Sequence, residues 1–309
     1  HFVNMAEWTG EGQSQLDFME KDLCLLLDMN DNVIGHENKY ETHIFCPERP
    51  RGKLHRAFSV FLFNAEGKLL LQQRAADKIT FPNVWTNTCC SHPLSGYEPT
   101  EQDTPADVES GDVPGVKRAA IRKLLHELGV PAEQLPADKF TFLTRLHYWA
   151  ADVVTHGPGS PWGEHEIDYI LFIQADVTLK PNPEEVSDTK YVSMNELLML
   201  MQPESGLLWS PWFRIIVMRF LVPLWWTDLP KALSGGFFDP KEIHRFDCTE
   251  EHMGGGGGAS EWLDKKGSEF GDLWLGQVAT NKGVAPQTPS MKPFLAHDDK
   301  NVWRLEAPE

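Results

Sequence analysis

The chain has 309 residues, 41% of them hydrophobic and 24% charged, so it is long enough to bury a core in one large or two modest domains. Its formal net charge of -17 argues against nucleic acid or an anionic membrane surface as a partner. An anionic substrate would therefore need a local cluster of basic side chains or a metal ion.

The cysteines form no spaced disulfide framework, which favours a reducing compartment. They are Cys24, Cys46, Cys89, Cys90 and Cys248. The longest apolar runs are interrupted by Arg, Pro or Asp, so we predict no membrane span. No signal or transit peptide is visible, although a chain that begins at His1 is compatible with removal of a targeting segment.

The first quarter of the chain predicts an N-terminal arm followed by β-strands. Residues 1–19 are polar and contain glycine, which is typical of a frayed arm. Residues 24–28 and 33–35 predict two strands joined by a turn of Asx residues. Residues 39–53 predict a loop, and the β-rich run 54–63 predicts a strand that forms a hairpin with residues 68–74.

Residues 86–93 (TNTCCSHP) place a thiol two residues from an imidazole at the end of an apolar run. Pro93 cannot continue a strand ladder, so Cys90 and His92 would be exposed there. One interpretation is a nucleophile or acid beside a metal ligand. The alternative is a buried cysteine pair with a loop histidine, because free cysteine packs as a small hydrophobe.

The clearest helix covers residues 114–128 and follows an acidic surface loop at 94–112. Asp112 can cap this helix and Gly129 can take the left-handed position that ends it. Its predicted apolar set is Val116, Ala120, Ile121, Leu124, Leu125 and Leu128. Lys123 and Glu127 lie one turn apart on the polar face, where an ordinary solvated salt bridge is the alternative to a functional pair.

A second acidic pattern lies in residues 162–172, a predicted strand that follows another at 140–151 and a loop at 157–161. The period of two puts Glu164, Glu166 and Asp168 on one face. Like charges so placed repel each other. A metal ion between them would relieve this repulsion, and an acidic solvated edge is the alternative.

The later elements are a strand near 190–192 and helices at 194–201 and 211–221. Trp212 is by default an anchor in the core. Strands interleaved with a few helices predict an α/β sandwich around a mixed sheet. Beyond about residue 250 the glycine run 254–258 and the polar sequence after it predict a linker and a weakly ordered tail.

Three segments together resemble the type 1 isopentenyl-diphosphate isomerases in their eukaryotic form. They are 54–63 (LHRAFSVFLF), 86–93 (TNTCCSHP) and 162–169 (WGEHEIDY). The resemblance runs from about residue 20 to about residue 249 and implies one Nudix-like α/β/α sandwich over residues 20–249, between the arm 1–19 and the tail 250–309. The helix that ends at HELGV is similar to a Nudix helix but keeps only Glu127 of its carboxylates, which disfavours hydrolysis of the diphosphate.

The resemblance also implies a set of ligands for metal and substrate. The implied ligands of a divalent ion (Mg²⁺, Mn²⁺ or Zn²⁺) are His43, His55, His92, Glu164 and Glu166. Glu127 is similar to the residue that holds a second ion, Mg²⁺, against the diphosphate. The implied phosphate-binding residues are Lys39, Arg74, Lys78 and Lys123. Such a cluster would supply the local positive charge that an acidic chain needs for an anionic substrate.

The implied reaction is the 1,3 shift of a double bond between isopentenyl and dimethylallyl diphosphate, in isoprenoid biosynthesis. Cys90 and Glu166 are similar to the acid/base pair of the family, Tyr148 to a hydrogen-bond partner of the carboxylate, and Trp212 to the aromatic residue facing the cation. Cys89 is expected to point the other way. The alternatives are a Nudix-type hydrolase and a non-catalytic diphosphate-binding module. We expect a small-molecule partner, a monomer, and a location in the cytoplasm or the plastid stroma.

Overall fold

The computed structural model describes residues 15–49, 51–156, 160–246 and 302–303. The helices are α1 Gln15–Lys21, α2 Lys39–His43, α3 Pro105–Ser110, α4 Pro114–Leu128, α5 Val153–His156, α6 Met194–Leu200, α7 Pro211–Ile216 and α8 Leu229–Leu233. The strands are β1 Leu23–Leu27, β2 Val33–Asn38, β3 His55–Phe63, β4 Leu69–Arg74, β5 Trp85–Thr86, β6 Cys89–Ser91, β7 Thr141–Ala151, β8 Gly163–Gln174, β9 Val186–Val192, β10 Ile243–Phe246 and β11 Val302–Trp303. A π-helical stretch, Val217–Trp225, continues α7.

One mixed sheet is built around β3. Its main strand order is β11-β10-β7-β8-β3-β1-β2. β3 pairs in parallel with β8 along its full length, from His55↔Glu166 to Phe63↔Gln174. Its other edge is shared in turn by β1, β6 and β4. Every residue of β3 is buried, as expected for a strand covered on both faces.

Helices cover both faces of this sheet. On one face Val116, Ala120 and Leu124 of α4 pack against Phe58 and Val60 of β3. On the other face a core rich in aromatic side chains joins the sheet to α7, the π-helical stretch and α8. The α/β/α sandwich around a mixed sheet is therefore confirmed.

The bounds of α4 match the prediction, but its start is stabilised differently. Asp112 does not cap the helix. The carboxylate of Asp103 instead accepts hydrogen bonds from the backbone N–H groups of Gly115 (2.5 Å) and Val116 (2.9 Å). Gly115 is needed there, because a Cβ atom would lie 2.5 Å from the carbonyl oxygen of Glu101. Glu127 was assigned to the polar face and is instead buried.

Three local predictions differ from the structure. The loop predicted at 39–53 begins with α2, where the Asn38 side chain accepts from the backbone N–H of Glu41. The acidic loop at 94–112 contains α3, capped by Thr104. The hairpin predicted for 54–63 and 68–74 is reduced to one pair, Phe63↔Leu69, and β4 pairs mainly with β9.

Within the segment predicted as an arm, α1 begins at Gln15. The tail after residue 250 lies outside the described residues except for β11, which pairs in parallel with β10. The division into arm, domain and tail stays a prediction. In the described part of the chain no helix has the length and apolar character to span a membrane.

Candidate active site

A cavity opens where β3, β6 and β8 meet the loop after β4 and the start of α7. Its lining residues are Lys39, Phe58, Ser59, Arg74, Lys78, Thr80, Cys90, Ser91, His92, Lys123, Glu127, Tyr148, Glu164, Glu166 and Trp212. Eleven of them were predicted from the sequence as site residues. The remaining two predicted site residues, His43 and His55, are fully buried beside the cavity.

Five side chains from four segments converge beside this cavity. They are His43, His55, His92, Glu164 and Glu166, and each offers a ligand atom within 4.8 Å of the others. His43 comes from α2, His55 from the first position of β3, and the two carboxylates from β8. The alternation in β8 therefore leads to a buried cluster, and the alternative of a solvated acidic edge is wrong.

The outer nitrogens of two imidazoles are fixed by backbone carbonyl groups. His43 Nδ1 lies 2.7 Å from the Lys39 carbonyl oxygen, and His55 Nδ1 lies 2.8 Å from that of Lys53. A proton on each Nδ1 would leave Nε2 as a lone-pair donor directed into the cluster, which is the usual arrangement around metal-binding histidines. Burial lowers the pKa of His43 despite the attraction of Glu164, and the neutral ring is the form that ligates metals.

The two carboxylates face these nitrogens at short distances. Glu164 Oε2 lies 2.8 Å from His43 Nε2, but the two atoms are not aligned as a hydrogen bond. Glu166 Oε1 lies 2.8 Å from His92 Nε2 and 3.6 Å from His55 Nε2. The hydroxyl of Thr80 donates to the other oxygen of Glu164 at 3.1 Å.

The donor set fits a divalent metal ion. His43 Nε2, His55 Nε2 and Glu164 Oε2 are buried and have no hydrogen-bond partner among the described residues. Buried polar atoms are normally satisfied, so three such atoms directed at one point indicate a ligand there. Three imidazoles and two carboxylates suit a six-coordinate ion better than a closed tetrahedral zinc site.

Tyr148 contacts the second carboxylate oxygen of Glu166. The Tyr148 hydroxyl donates a hydrogen bond to Glu166 Oε2. Burial raises the pKa of Tyr148 well above its usual value, and the charges of Glu166 and Glu164 raise it further. Burial alone would also raise the pKa of Glu166, but the interactions with His55 and Tyr148 lower it overall. Tyr148 is therefore protonated and Glu166 ionised at neutral pH.

The two adjacent cysteines lie on opposite faces of the sheet. Cys90 pairs with Ser59 and faces the cavity, with its sulfur 3.8 Å from Arg74 Nη1. Burial raises the pKa of the Cys90 thiol to about 12, against the charge of Arg74, so the thiol keeps its proton at neutral pH. Cys89 packs in the other core, where its thiol donates to Glu127 Oε2 at 3.4 Å. The predicted orientation of Cys89 is confirmed.

Trp212 is a core anchor that also lines the cavity. It is 3% exposed, its indole N–H donates to Asn87 Oδ1 at 3.2 Å, and its ring meets Phe81 edge-on. The Tyr148 ring lies 6.2 Å away. The Arg74 guanidinium lies 5.8 Å from the centre of the indole, so this ring already faces a cation.

Four basic residues line the same cavity. Lys78 from the loop after β4 and Lys123 from α4 both reach it, as do Lys39 and Arg74. Arg74 is held in place by the carbonyl oxygens of Phe81 and Thr80. This cluster supplies the local positive charge that the acidic composition of the chain requires for an anionic ligand.

Glu127 lies among these cations on the sheet side of α4. Lys123 Nζ lies 3.1 Å from Glu127 Oε1, while the amide of Gln72 donates to Oε2 at 3.1 Å. Burial opposes ionisation, but Lys123 and Lys78 lower the pKa of Glu127 overall. The pair predicted as one helical turn apart is thus buried, and the alternative of a solvated salt bridge is wrong.

Sequence analysis missed several residues of the site. Ser59 and Ser91 line the cavity, and Thr80 binds a metal-site carboxylate, but single hydroxyl residues in strands or loops carry no pattern. Glu185 pairs with Lys78 from a distant turn that resembles any acidic loop. Asp168 was part of the β8 alternation, and it accepts a hydrogen bond from Ser59 at 2.8 Å.

Comparison with known proteins identifies the family to which the chain belongs. The family model described as NUDIX domain matches residues 53–213, more than half of the chain, so the chain is a NUDIX protein. "Isopentenyl-diphosphate Delta-isomerase II" of Clarkia breweri is 48% identical over 249 residues, which cover 79% of this chain and 82% of the relative. "Isopentenyl-diphosphate Delta-isomerase I" of Camptotheca acuminata is 47% identical, covering 75% of this chain and 94% of the relative. "Isopentenyl-diphosphate Delta-isomerase 1, chloroplastic" of Cannabis sativa is 49% identical, covering 75% and 77%.

The chain therefore belongs to the isopentenyl-diphosphate Delta-isomerase family, and it is an enzyme of that type. The family assignment drawn from the three sequence motifs is confirmed.

Proposed function

We propose that this protein interconverts isopentenyl and dimethylallyl diphosphate by protonating one carbon and deprotonating another. The observation that supports this most strongly is the convergence of Cys90 and Glu166 on one cavity from the two sides of β3. Basic residues of the lining would bind the diphosphate, and Trp212 and Tyr148 line the same cavity. A diphosphate-binding module would not need a thiol and a carboxylate arranged in this way.

The diphosphate group would be held by Lys39, Arg74, Lys78 and Lys123. When bound, a divalent ion in the His₃Glu₂ cluster and a Mg²⁺ at Glu127 would fix the Glu166 carboxylate and neutralise phosphate charge. Arg74 suits this role because its guanidinium is already held in place by two carbonyl groups. The substrate would be oriented by these contacts before any proton moves.

Proton transfer to an unactivated alkene needs a positioned acid in a site with little water. Cys90 fits one of the two acid/base roles, because its buried thiol is protonated and faces the cavity. Glu166 fits the other role, and Tyr148 holds one of its oxygens and can shift a proton along that hydrogen bond. Transfer to one carbon and removal from another keeps the number of protons on the substrate constant.

Protonation of the alkene produces positive charge on a tertiary carbon. Trp212 offers a π face to that charge at the cavity, and a desolvated cation–π contact is worth about 2 kcal/mol. This corresponds to roughly 30-fold in rate. The buried ring of Trp212 cannot reorient easily, because its N–H is bound to Asn87.

Hydrolysis of the diphosphate is disfavoured as an alternative. In α4 a lysine, Lys123, stands where Nudix hydrolases have a carboxylate, and Arg122 is engaged with Glu101 at 2.6 Å. A set of metal ions that activates water needs more carboxylates than Glu127 alone.

The relative named as chloroplastic makes the plastid stroma one candidate location of this protein, and the cytoplasm is the other. We expect the protein to be a monomer.

The direct test is incubation of the purified protein with isopentenyl diphosphate and Mg²⁺, followed by proton and phosphorus NMR. We expect dimethylallyl diphosphate to accumulate without release of phosphate or pyrophosphate. Phosphate release that outruns isomer formation would contradict the proposal and favour the hydrolase. Binding without either product would favour the non-catalytic module.

A further inference from the structure

A buried carboxylate lies behind two lysines that line the cavity. Glu185 is 2% exposed, and it does not line the cavity although its two lysine neighbours do. Its carboxylate contacts Lys78 Nζ directly, and Lys123 Nζ lies 4.0 Å from it.

The backbone of Glu185 is fixed, whereas the lysine side chains are long. The Glu185 N–H donates to the Asn182 carbonyl oxygen, and its own carbonyl accepts from the N–H of Ala75, both at 3.0 Å. Ala75 follows Arg74 directly, so the turn that carries Glu185 is attached to the edge of the site. Lys78 and Lys123 each have four rotatable side-chain bonds and can turn toward the cavity while Glu185 stays in place.

The charges of this region are partly balanced before any ligand binds. Two carboxylates, Glu127 and Glu185, face the two ammonium groups. A buried ammonium without a partner is strongly destabilising, so Glu185 stabilises the ligand-free protein. A diphosphate that enters the cavity offers oxygen atoms to the same two ammonium groups.

We propose that Glu185 is an internal counter-anion that competes with the diphosphate for Lys78 and Lys123 and thereby weakens diphosphate binding. This inference rests on the proposed function, because it concerns the site of the same substrate. The physical reason is that Glu185 stabilises the free protein more than the complex. Loss of its charge would therefore favour the complex.

Weaker binding of the diphosphate has a use in this reaction. Substrate and product carry the same diphosphate group, so those contacts that are equally strong in substrate, transition state and product lower KM without raising kcat. Excess affinity would only slow the departure of the product. Glu185 therefore acts on substrate capture and product release through the lysines, as a positioning residue and not a catalytic one.

The test compares Glu185→Gln with Glu184→Gln, which removes the same charge from the exposed neighbouring residue. Binding of inorganic pyrophosphate with saturating Mg²⁺ is measured by titration calorimetry on metal-loaded protein. We expect Glu185→Gln to bind at least tenfold tighter, about 1.4 kcal/mol, and Glu184→Gln to match the unchanged protein. The KM for isopentenyl diphosphate should fall, with kcat unchanged or lower.

Unchanged or weaker pyrophosphate binding by Glu185→Gln would overturn the inference, since a purely structural role predicts that result. If the unchanged protein isomerises its substrate while Glu185→Gln shows no tightening, only this inference fails. If the unchanged protein binds pyrophosphate without isomerising its substrate, the proposed function fails. The comparison of pyrophosphate affinity between Glu185→Gln and Glu184→Gln still tests this inference.

A second pair of variants covers the case in which Glu185→Gln does not fold. Lys78→Met is compared with the double variant Lys78→Met, Glu185→Gln, which lacks both charges of the buried pair and should cost less stability. Because Lys123 remains near Glu185, the double variant should still bind pyrophosphate about threefold tighter than Lys78→Met alone. Equal affinities would overturn the inference.

Discussion

Replacement of Cys90 by serine tests the acid/base assignment with the smallest change in shape. The cavity-facing thiol is protonated, and a hydroxyl in its place is a much weaker acid. General acid–base catalysis contributes typically 10²- to 10⁴-fold. We therefore expect kcat to fall by about that factor, which raises the barrier by about 2.7 to 5.4 kcal/mol.

Cys89→Ser is the matched control, because the same substitution falls on the opposite face of the sheet. The Cys89 sulfur donates to Glu127 Oε2, and a serine hydroxyl can donate to the same oxygen. We expect turnover within a few-fold of the unchanged protein and a change in unfolding free energy of about 1 kcal/mol or less. Isomer formation by NMR gives the rates, and thermal unfolding confirms that both variants fold.

The outcome that refutes the assignment is clear from the geometry. If Cys89→Ser abolished isomerisation while Cys90→Ser kept more than about a tenth of the rate, the reacting thiol would be that of Cys89. The assignment of Cys90 as the acid/base group would then be wrong. A tenfold loss is only about 1.4 kcal/mol of barrier, too little for an essential proton carrier.

Two further predictions concern the metals and pH. His92→Ala should lose the ion of the five-residue cluster. Glu127→Gln should keep that ion but weaken Mg²⁺-dependent binding of pyrophosphate. Metal analysis of the two purified variants checks this, and equal ion loss in both would contradict two separate metal sites. Burial and the charge of Lys123 lower the pKa of His126 to about 4, so the folded protein binds fewer protons than the unfolded chain between about pH 6.5 and 4. Its contribution to stability is thus present above pH 6.5 and lost as pH falls, by about 2 kcal/mol at pH 5. His126→Gln should reduce the pH slope of urea unfolding in that window, and an unchanged slope would contradict this assignment.

Most of the fold could be predicted because local patterns and tertiary packing agree. The α4 helix has an apolar stripe, a proline in its first turn and a glycine at its end, and the structure gives it the predicted bounds. β3 and β8 were recognisable as apolar or alternating runs. Their parallel pairing depends on contacts between distant segments, so it could not be derived from either run.

The wrong predictions of the hairpin and of the helix cap have the same origin, which is competition from distant segments of the chain. The predicted hairpin failed because β8 and β6 occupy the edges of β3 that β4 would need. The helix cap failed because Asp103, nine residues before Asp112, reaches the first turn of α4 and accepts from two N–H groups. Neither the strand pairing of β3 nor the contact of Asp103 with α4 can be recognised from a short stretch of sequence.

The candidate site was recognisable because three long motifs resemble one family, and not because any single residue is diagnostic. Taken alone, Cys90 and His92 were also compatible with a buried cysteine pair and a loop histidine. Residues that support the site from outside those motifs, such as Glu185 and Thr80, became visible only when the fold brought them next to Lys78 and Glu164.

Proton exchange with solvent tests the central claim most directly. The unchanged protein is incubated with isopentenyl diphosphate and Mg²⁺ in deuterated water, and the isomers are examined by deuterium NMR. We predict deuterium in the new methyl group of dimethylallyl diphosphate and, as the equilibrium cycles, also at the carbon that loses its proton, with no phosphate release. Isomer formed without deuterium from the solvent would contradict protonation and deprotonation by Cys90 and Glu166.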